Sequence, residues 1–232
     1  MKYGLVSITV LFHMLVSPAF SQVPRHSFNP DSLSNDFFVQ LKKEFGNKKT
    51  YAPQLEKPLL IALSYYPELK NTPIRFEYRP KHSSGYTRVA WGGIFEPAAT
   101  RHYLIVISDS TEPMLMPLLF KNVSFNAQIA LLGHELAHVS WFNSIGALDF
   151  LQHVIKNVSA KYIDRYEYNT DAICIAHGLG YQLLAWSTYV RKTMNTVNWL
   201  GADYAHRPKK RERYMNPATI MKRIAAEPIY HE

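Results

Sequence analysis

The chain has a single cysteine, Cys174, in 232 residues. No intramolecular disulfide can form, so stability must come from the core and from any metal the chain binds. Cys174 lies in an apolar helical stretch and reads as a small core residue. Long apolar runs are also scarce. The one at the start, Leu5 to Val16, is short for a membrane span, and no later segment approaches about 20 uninterrupted apolar residues. With Lys2 before it and Ala19-Phe20-Ser21 after it, this run reads as a secretory signal peptide, residues 1–21, cleaved between Ser21 and Gln22. That leaves one domain, 22–232, exported to a periplasm or the outside without a transmembrane segment. No cysteine stands near the cleavage point to carry a lipid anchor, and no internal repeat or low-complexity tract is present. Acidic residues are outnumbered, 18 against 26 basic, for a formal charge of +8. Part of the excess is the run Arg207-Pro208-Lys209-Lys210-Arg211-Glu212-Arg213. Without aromatic or motif support this reads as a solvated loop rather than a nucleic-acid site, and it leaves attraction to an anionic envelope or an acidic substrate open.

The chain is 47% hydrophobic and long enough to bury a sizeable core. Its apolar residues change period along the sequence. Leu33, Phe37, Phe38, Leu41 and Phe45 predict a helix over 32–45 stopped by Gly46, and a second helix spans about Pro58 to Tyr66. Ile74, Phe76 and Tyr78 then alternate with charged residues, which predicts a half-buried strand. Thr87 to Phe95 reads as a further strand in which Gly92-Gly93 marks a bulge or a close approach. His102 to Ile107 is a continuous apolar run, the pattern of a strand buried on both faces, and the short connection pairs these two strands antiparallel. Helices dominate thereafter. They run from a cap at Ser124 or Asn126 to about Phe142, over Leu148 to Val158, from Tyr162 to Gly178-Leu179-Gly180, from Tyr181 to Met194, and from Asn216-Pro217 to about Ala226. The fold class is α+β, a small antiparallel or mixed sheet followed by a mainly helical C-terminal half.

The chemistry-bearing stretch is His134-Glu135-Leu136-Ala137-His138 inside the helix that begins near Ser124. Histidines four residues apart share a helix face, so both imidazoles reach one metal ion, and the intervening glutamate is placed to take a proton from a metal-bound water. Ile129, Ala130, Leu131, Leu132, Leu136 and Val139 make this helix apolar nearly all round. Burial makes unpartnered imidazoles and a carboxylate costly, and a metal supplies a partner. A catalytic zinc takes three protein ligands, so a third must come from further along. The downstream candidates are His153, Asp164, Glu167, Asp171 and His177. Glu167 and Asp171 stand out because they are one helical turn apart, so that one can bind the metal and the other can hold the N–H of a liganding histidine.

His-Glu-x-x-His at 134–138 followed by Glu167-Tyr168-Asn169-Thr170-Asp171 resembles the gluzincin group of zinc metallopeptidases over roughly residues 85–180. The resemblance implies a zincin-like fold with zinc held by His134, His138 and Glu167. It implies that Glu135 is general base and then proton shuttle, and that Asp171 orients His134. It also implies a substrate-binding edge strand before the active-site helix, here Thr87 to Phe95. The expected activity is hydrolysis of a peptide or protein substrate. A further donor is needed for the tetrahedral oxyanion, and His177, Tyr181, Tyr204 and His206 are the candidates. The other class of reading is a zincin-fold binding protein with a structural zinc, which has no use for the non-ligand carboxylate of Glu135.

Overall fold

The structure, a computed structural model, describes residues 22–80, 85–90, 93, 96, 97, 100–201 and 212–231. The expected signal segment, Gly92, Tyr204, His206 and residues 207–211 of the basic run lie outside the described residues. The architecture is mixed α/β. Helix α1 (Asn35–Phe45) is capped by Ser34, whose hydroxyl accepts the Phe37 amide, and it buries Phe38, Leu41 and Phe45. A two-residue strand β1 (Lys49–Thr50) follows, too short to leave a periodic signal in the sequence. Helix α2 (Glu56–Ser64) is almost wholly buried, as its unbroken Pro58–Ser64 run requires.

Strands β2 (Ile74–Arg79), β3 (Gly85–Val89) and β4 (Tyr103–Ser108) complete one four-stranded sheet in the order β1-β2-β4-β3. β4 is central and all six of its residues are buried, while β2 pairs with it in parallel. β3 pairs with β4 antiparallel, Gly85 opposite Ile107 and Val89 opposite Tyr103, and is the outer strand of the sheet among the described residues. The expectation of a strand over 87–95 needs correction. The strand starts two residues earlier and ends at Val89, because its partner β4 begins only at Tyr103.

From Phe125 onward every regular described element is helical. Helix α3 (Phe125–Ser144) is capped by Ser124, whose hydroxyl accepts the Ala127 amide. Asn126, the other expected cap, instead brackets the backbone of Phe28, accepting its amide at 2.8 Å and donating to its carbonyl at 3.0 Å. At the far end the fully buried guanidinium of Arg101 donates to the carbonyls of Phe142 and Ile145 at 2.7 and 3.1 Å. A cation therefore closes the negative end of the helix dipole. Helices α4 (Ala147–Lys156), α5 (Ala160–Cys174), α6 (Gly180–Thr193) and α7 (Pro217–Ile224) follow. α5 turns into α6 through a π turn, Ile175–Leu179, where Gly178 has φ +95°, a conformation that favours glycine. Leu59–Leu63, Ile105, Ile107, Ile129, Leu132, Leu136, Ile175 and Leu179 share one core, so α3 lies at the centre of the molecule. The second core is smaller and joins Leu115, Leu118, Val190 and Trp199.

Candidate metal centre

α3 and α5 cross with their polar faces turned to each other inside this core. α3 presents His134 and His138, one turn apart, and α5 presents Glu167, Thr170 and Asp171 at the i, i+3, i+4 spacing of one face. The Nε2 atoms of both imidazoles converge on the same Glu167 oxygen, Oε2, at 3.1 Å from His134 and 3.5 Å from His138. One ligand atom from each of the three residues fits within a 4.8 Å span. The two imidazole planes are perpendicular, with centroids 4.8 Å apart.

The remaining ring nitrogens are both fixed by α5. His134 Nδ1 lies 2.8 Å from Asp171 Oδ1, and Asp171 Oδ2 accepts the backbone N–H of Met215 at 2.7 Å. His138 Nδ1 lies 3.2 Å from Thr170 Oγ1. The Thr170 hydroxyl donates to the Tyr166 carbonyl at 3.0 Å, which leaves its oxygen to accept from the imidazole. Consecutive residues on α5 thus fix the orientation of the two imidazoles and turn both Nε2 atoms toward Glu167. Burial alone would push His134 down, but the Asp171 and Glu167 carboxylates on its two nitrogens outweigh it and raise it well above the ordinary imidazole value. Burial would likewise raise Glu167, but His138 and His134 hold its carboxyl well below the usual carboxylate range. Glu167 therefore stays ionised beside the two imidazoles. Two imidazoles and one carboxylate, with the outer nitrogens already engaged, fit zinc in donor type and number.

Glu135 does not join this set. Its Oε2 accepts the hydroxyl of Thr87 on the outer strand at 2.6 Å, so the carboxylate is held between α3 and β3. Gly85, on the same strand face, makes that approach possible. A Cβ there would stand 3.1 Å from Glu135 Oε1 and from the Val106 carbonyl oxygen. His134, His138, Glu167 and Glu135 line a cavity of about 390 Å³. Its far wall, with Leu118, Leu183, Trp186, Val190 and Trp199, is apolar.

Tyr214 forms the remaining side, its ring centroid 5.7 Å from that of His134. Burial pushes its phenol well above the ordinary value and Glu167 adds to the shift, so the hydroxyl keeps its proton. No hydrogen bond joins that hydroxyl to another described residue. The backbone around Tyr214 is strapped down. Arg191 donates to the Tyr214 carbonyl at 2.9 Å and to Asn216 Oδ1 at 2.8 Å, Ser187 donates to the Met215 carbonyl at 2.8 Å, and Arg213 pairs with Asp164 at 2.8 Å.

The other described sequence candidates have partners of their own. Asp164 is the buried partner of Arg213, which also corrects the reading of that arginine as part of a solvated loop. His153 touches the cavity, but its Nδ1 is 3.0 Å from the Tyr162 hydroxyl and its ring packs on Tyr166 and Trp141. His177 pairs with Glu68 at 3.1 Å and stacks on Tyr66, and Tyr181 stacks on His26 and meets Tyr230 edge-on. Neither His177 nor Tyr181 is among the residues that line the cavity. Four residues at the site escaped the sequence reading: Thr87, Tyr166, Thr170 and Tyr214. Thr170 had a usable signal, since it shares the helical face of Glu167 and Asp171. The others are placed by strand register, ring stacking and long-range strapping. Comparison with protein-family models, with curated proteins and with solved structures returns no match to this chain.

Proposed function

We propose that this chain is a zinc metallopeptidase of gluzincin type, with a zincin-like arrangement of sheet, active-site helix and ligand helix. The observation that carries the reading is the position of Glu135. It is a buried carboxylate beside a three-ligand set, excluded from that set and held by Thr87 where the cavity opens. His134, His138 and Glu167 hold the zinc. Zinc in such a site acidifies water towards a pKa of about 7 and polarises a carbonyl. Glu135 accepts the proton of the attacking water and returns it to the leaving amine, the Thr87 hydroxyl keeping the carboxylate aimed. Tyr214 donates its phenolic hydrogen to the developing oxyanion, the His177 and Tyr181 expected from sequence being engaged outside the cavity and Tyr204 and His206 lying outside the described residues. Asp171 and Thr170 fix the two imidazoles.

The substrate is a peptide in extended form that runs along β3 beside the cavity and makes backbone hydrogen bonds to it. The apolar wall of Leu118, Trp186, Val190 and Trp199 favours a bulky hydrophobic side chain next to the scissile bond. The test compares the wild-type chain with Glu135→Gln. The variant should retain zinc and lose hydrolysis of an unstructured protein substrate such as casein by about 10²-fold or more. Equal hydrolysis by both would refute the assignment.

A further inference from the structure

Helix α4 turns most of its apolar residues to solvent. Phe150 and His153 pack inward, the former against Phe142 and beneath Arg101. Leu148 is 70% exposed, Leu151 52%, Val154 48% and Ile155 64%, and Val158, at the corner leading into α5, is 91% exposed. These positions follow helical spacing and form one continuous stripe, which a monomeric soluble domain rarely leaves uncovered. Exposed cations border it. Lys156 ends α4, and Lys161 and Arg165 stand one turn apart on the first turns of α5, against a single acidic residue on α4, Asp149. The corner also adjoins the cavity, since Asn157 and Ile163 on either side of it are among the residues that line it.

We propose that the α4 face and the Val158 corner dock on the anionic surface of a lipid bilayer and bring the cavity mouth against it. Two features favour lipid over a protein partner. The stripe ends at the α4–α5 turn with Val158 91% exposed, a side chain free to insert between headgroups. Two of the three cations beside it, Lys156 and Lys161, are lysines, which are depleted in protein–protein interfaces but pair readily with acidic lipid headgroups. The formal charge of +8 acts in the same direction. The inference does not rest on the metal reading.

The test uses the chain expressed whole, purified after export, and sedimented with vesicles of phosphatidylcholine alone or mixed with phosphatidylglycerol. Wild type should sediment with the mixed vesicles, less at high salt, and far less with phosphatidylcholine alone. Leu151→Glu/Ile155→Glu changes only exposed side chains and should weaken partition by about tenfold or more at an unchanged melting temperature. Lys156→Glu/Lys161→Glu should abolish the preference for anionic vesicles. Both variants share the wild-type N-terminus, so a difference belongs to the α4 region. Sedimentation with neither vesicle, or equal binding by wild type and Leu151→Glu/Ile155→Glu, would overturn the proposal. So would a dimer in light scattering that the same variant dissolves, since the stripe would then cover a second copy.

Discussion

Asp171 holds His134 by one carboxylate oxygen, 2.8 Å from Nδ1, and with the other accepts the Met215 amide at 2.7 Å. It is buried, so each oxygen has its partner inside the protein and neither depends on water. Asp171 therefore joins helix α5 to the backbone beside Tyr214, and the geometry of the His134, His138 and Glu167 cluster is tied to that of the cavity wall.

The first prediction concerns zinc affinity. Asp171→Ala should weaken zinc binding about 10–100-fold, because His134 loses the group that fixes its orientation. Thr170→Val should act in the same direction through His138. Competition against a fluorescent chelator measures both, and wild-type affinity in Asp171→Ala would contradict the orienting role.

The second concerns catalysis. Tyr214→Phe removes one hydrogen-bond donor and keeps the ring against His134, so zinc content should not change. Peptide hydrolysis should fall about 10²-fold in kcat with little change in KM, the signature of an interaction made in the transition state. A loss confined to KM would make Tyr214 a substrate contact instead.

The third concerns the fold. Arg101→Met keeps an apolar stem but withdraws the charge-assisted bonds to Phe142 and Ile145 at the end of α3. Each such bond is worth about 1.5–3 kcal/mol, so a loss of about 3 kcal/mol or more in denaturant unfolding is expected. A change under about 1 kcal/mol would show that the cap is dispensable.

The fourth concerns pH. Burial opposes charge on both His177 and Glu68, but their contact outweighs it, raising the imidazole and, with Ser140, lowering the carboxyl. The raised His177 contributes stability that is full below its unfolded value of 6.5 and is lost as pH rises through its folded value. The lowered Glu68 contributes above its unfolded value of 4.5 and loses that contribution as pH falls through its folded value. The pair is therefore strongest between these two unfolded values. The melting-temperature gap between wild type and Glu68→Gln should be wider near about pH 5.5 than near about pH 9. A gap independent of pH would show that the pair carries no charge.

Much of this architecture is legible in the chain because it is local. The period of the apolar residues marks α3, and the Asn216-Pro217 start marks α7. The spacing of His134, Glu135 and His138 reads directly as one helix face, and Glu167 with Asp171 reads as another. What local patterns do not carry is which segments meet. Thr87 reaches Glu135 only because β3 pairs with β4 in one register, and Tyr214 reaches the site only because Arg191, Ser187 and Asp171 pull its backbone in. His177 and Tyr181 are plausible donors by sequence distance, yet the π turn at Gly178 directs them to Glu68 and His26.

The most direct test of the central claim is the position of the metal. In crystals grown with zinc, anomalous scattering at the zinc edge should give one strong peak within about 2.0–2.2 Å of His134 Nε2, His138 Nε2 and a Glu167 carboxylate oxygen. A peak that leaves Glu167 outside this range, or no peak between α3 and α5, would contradict the account.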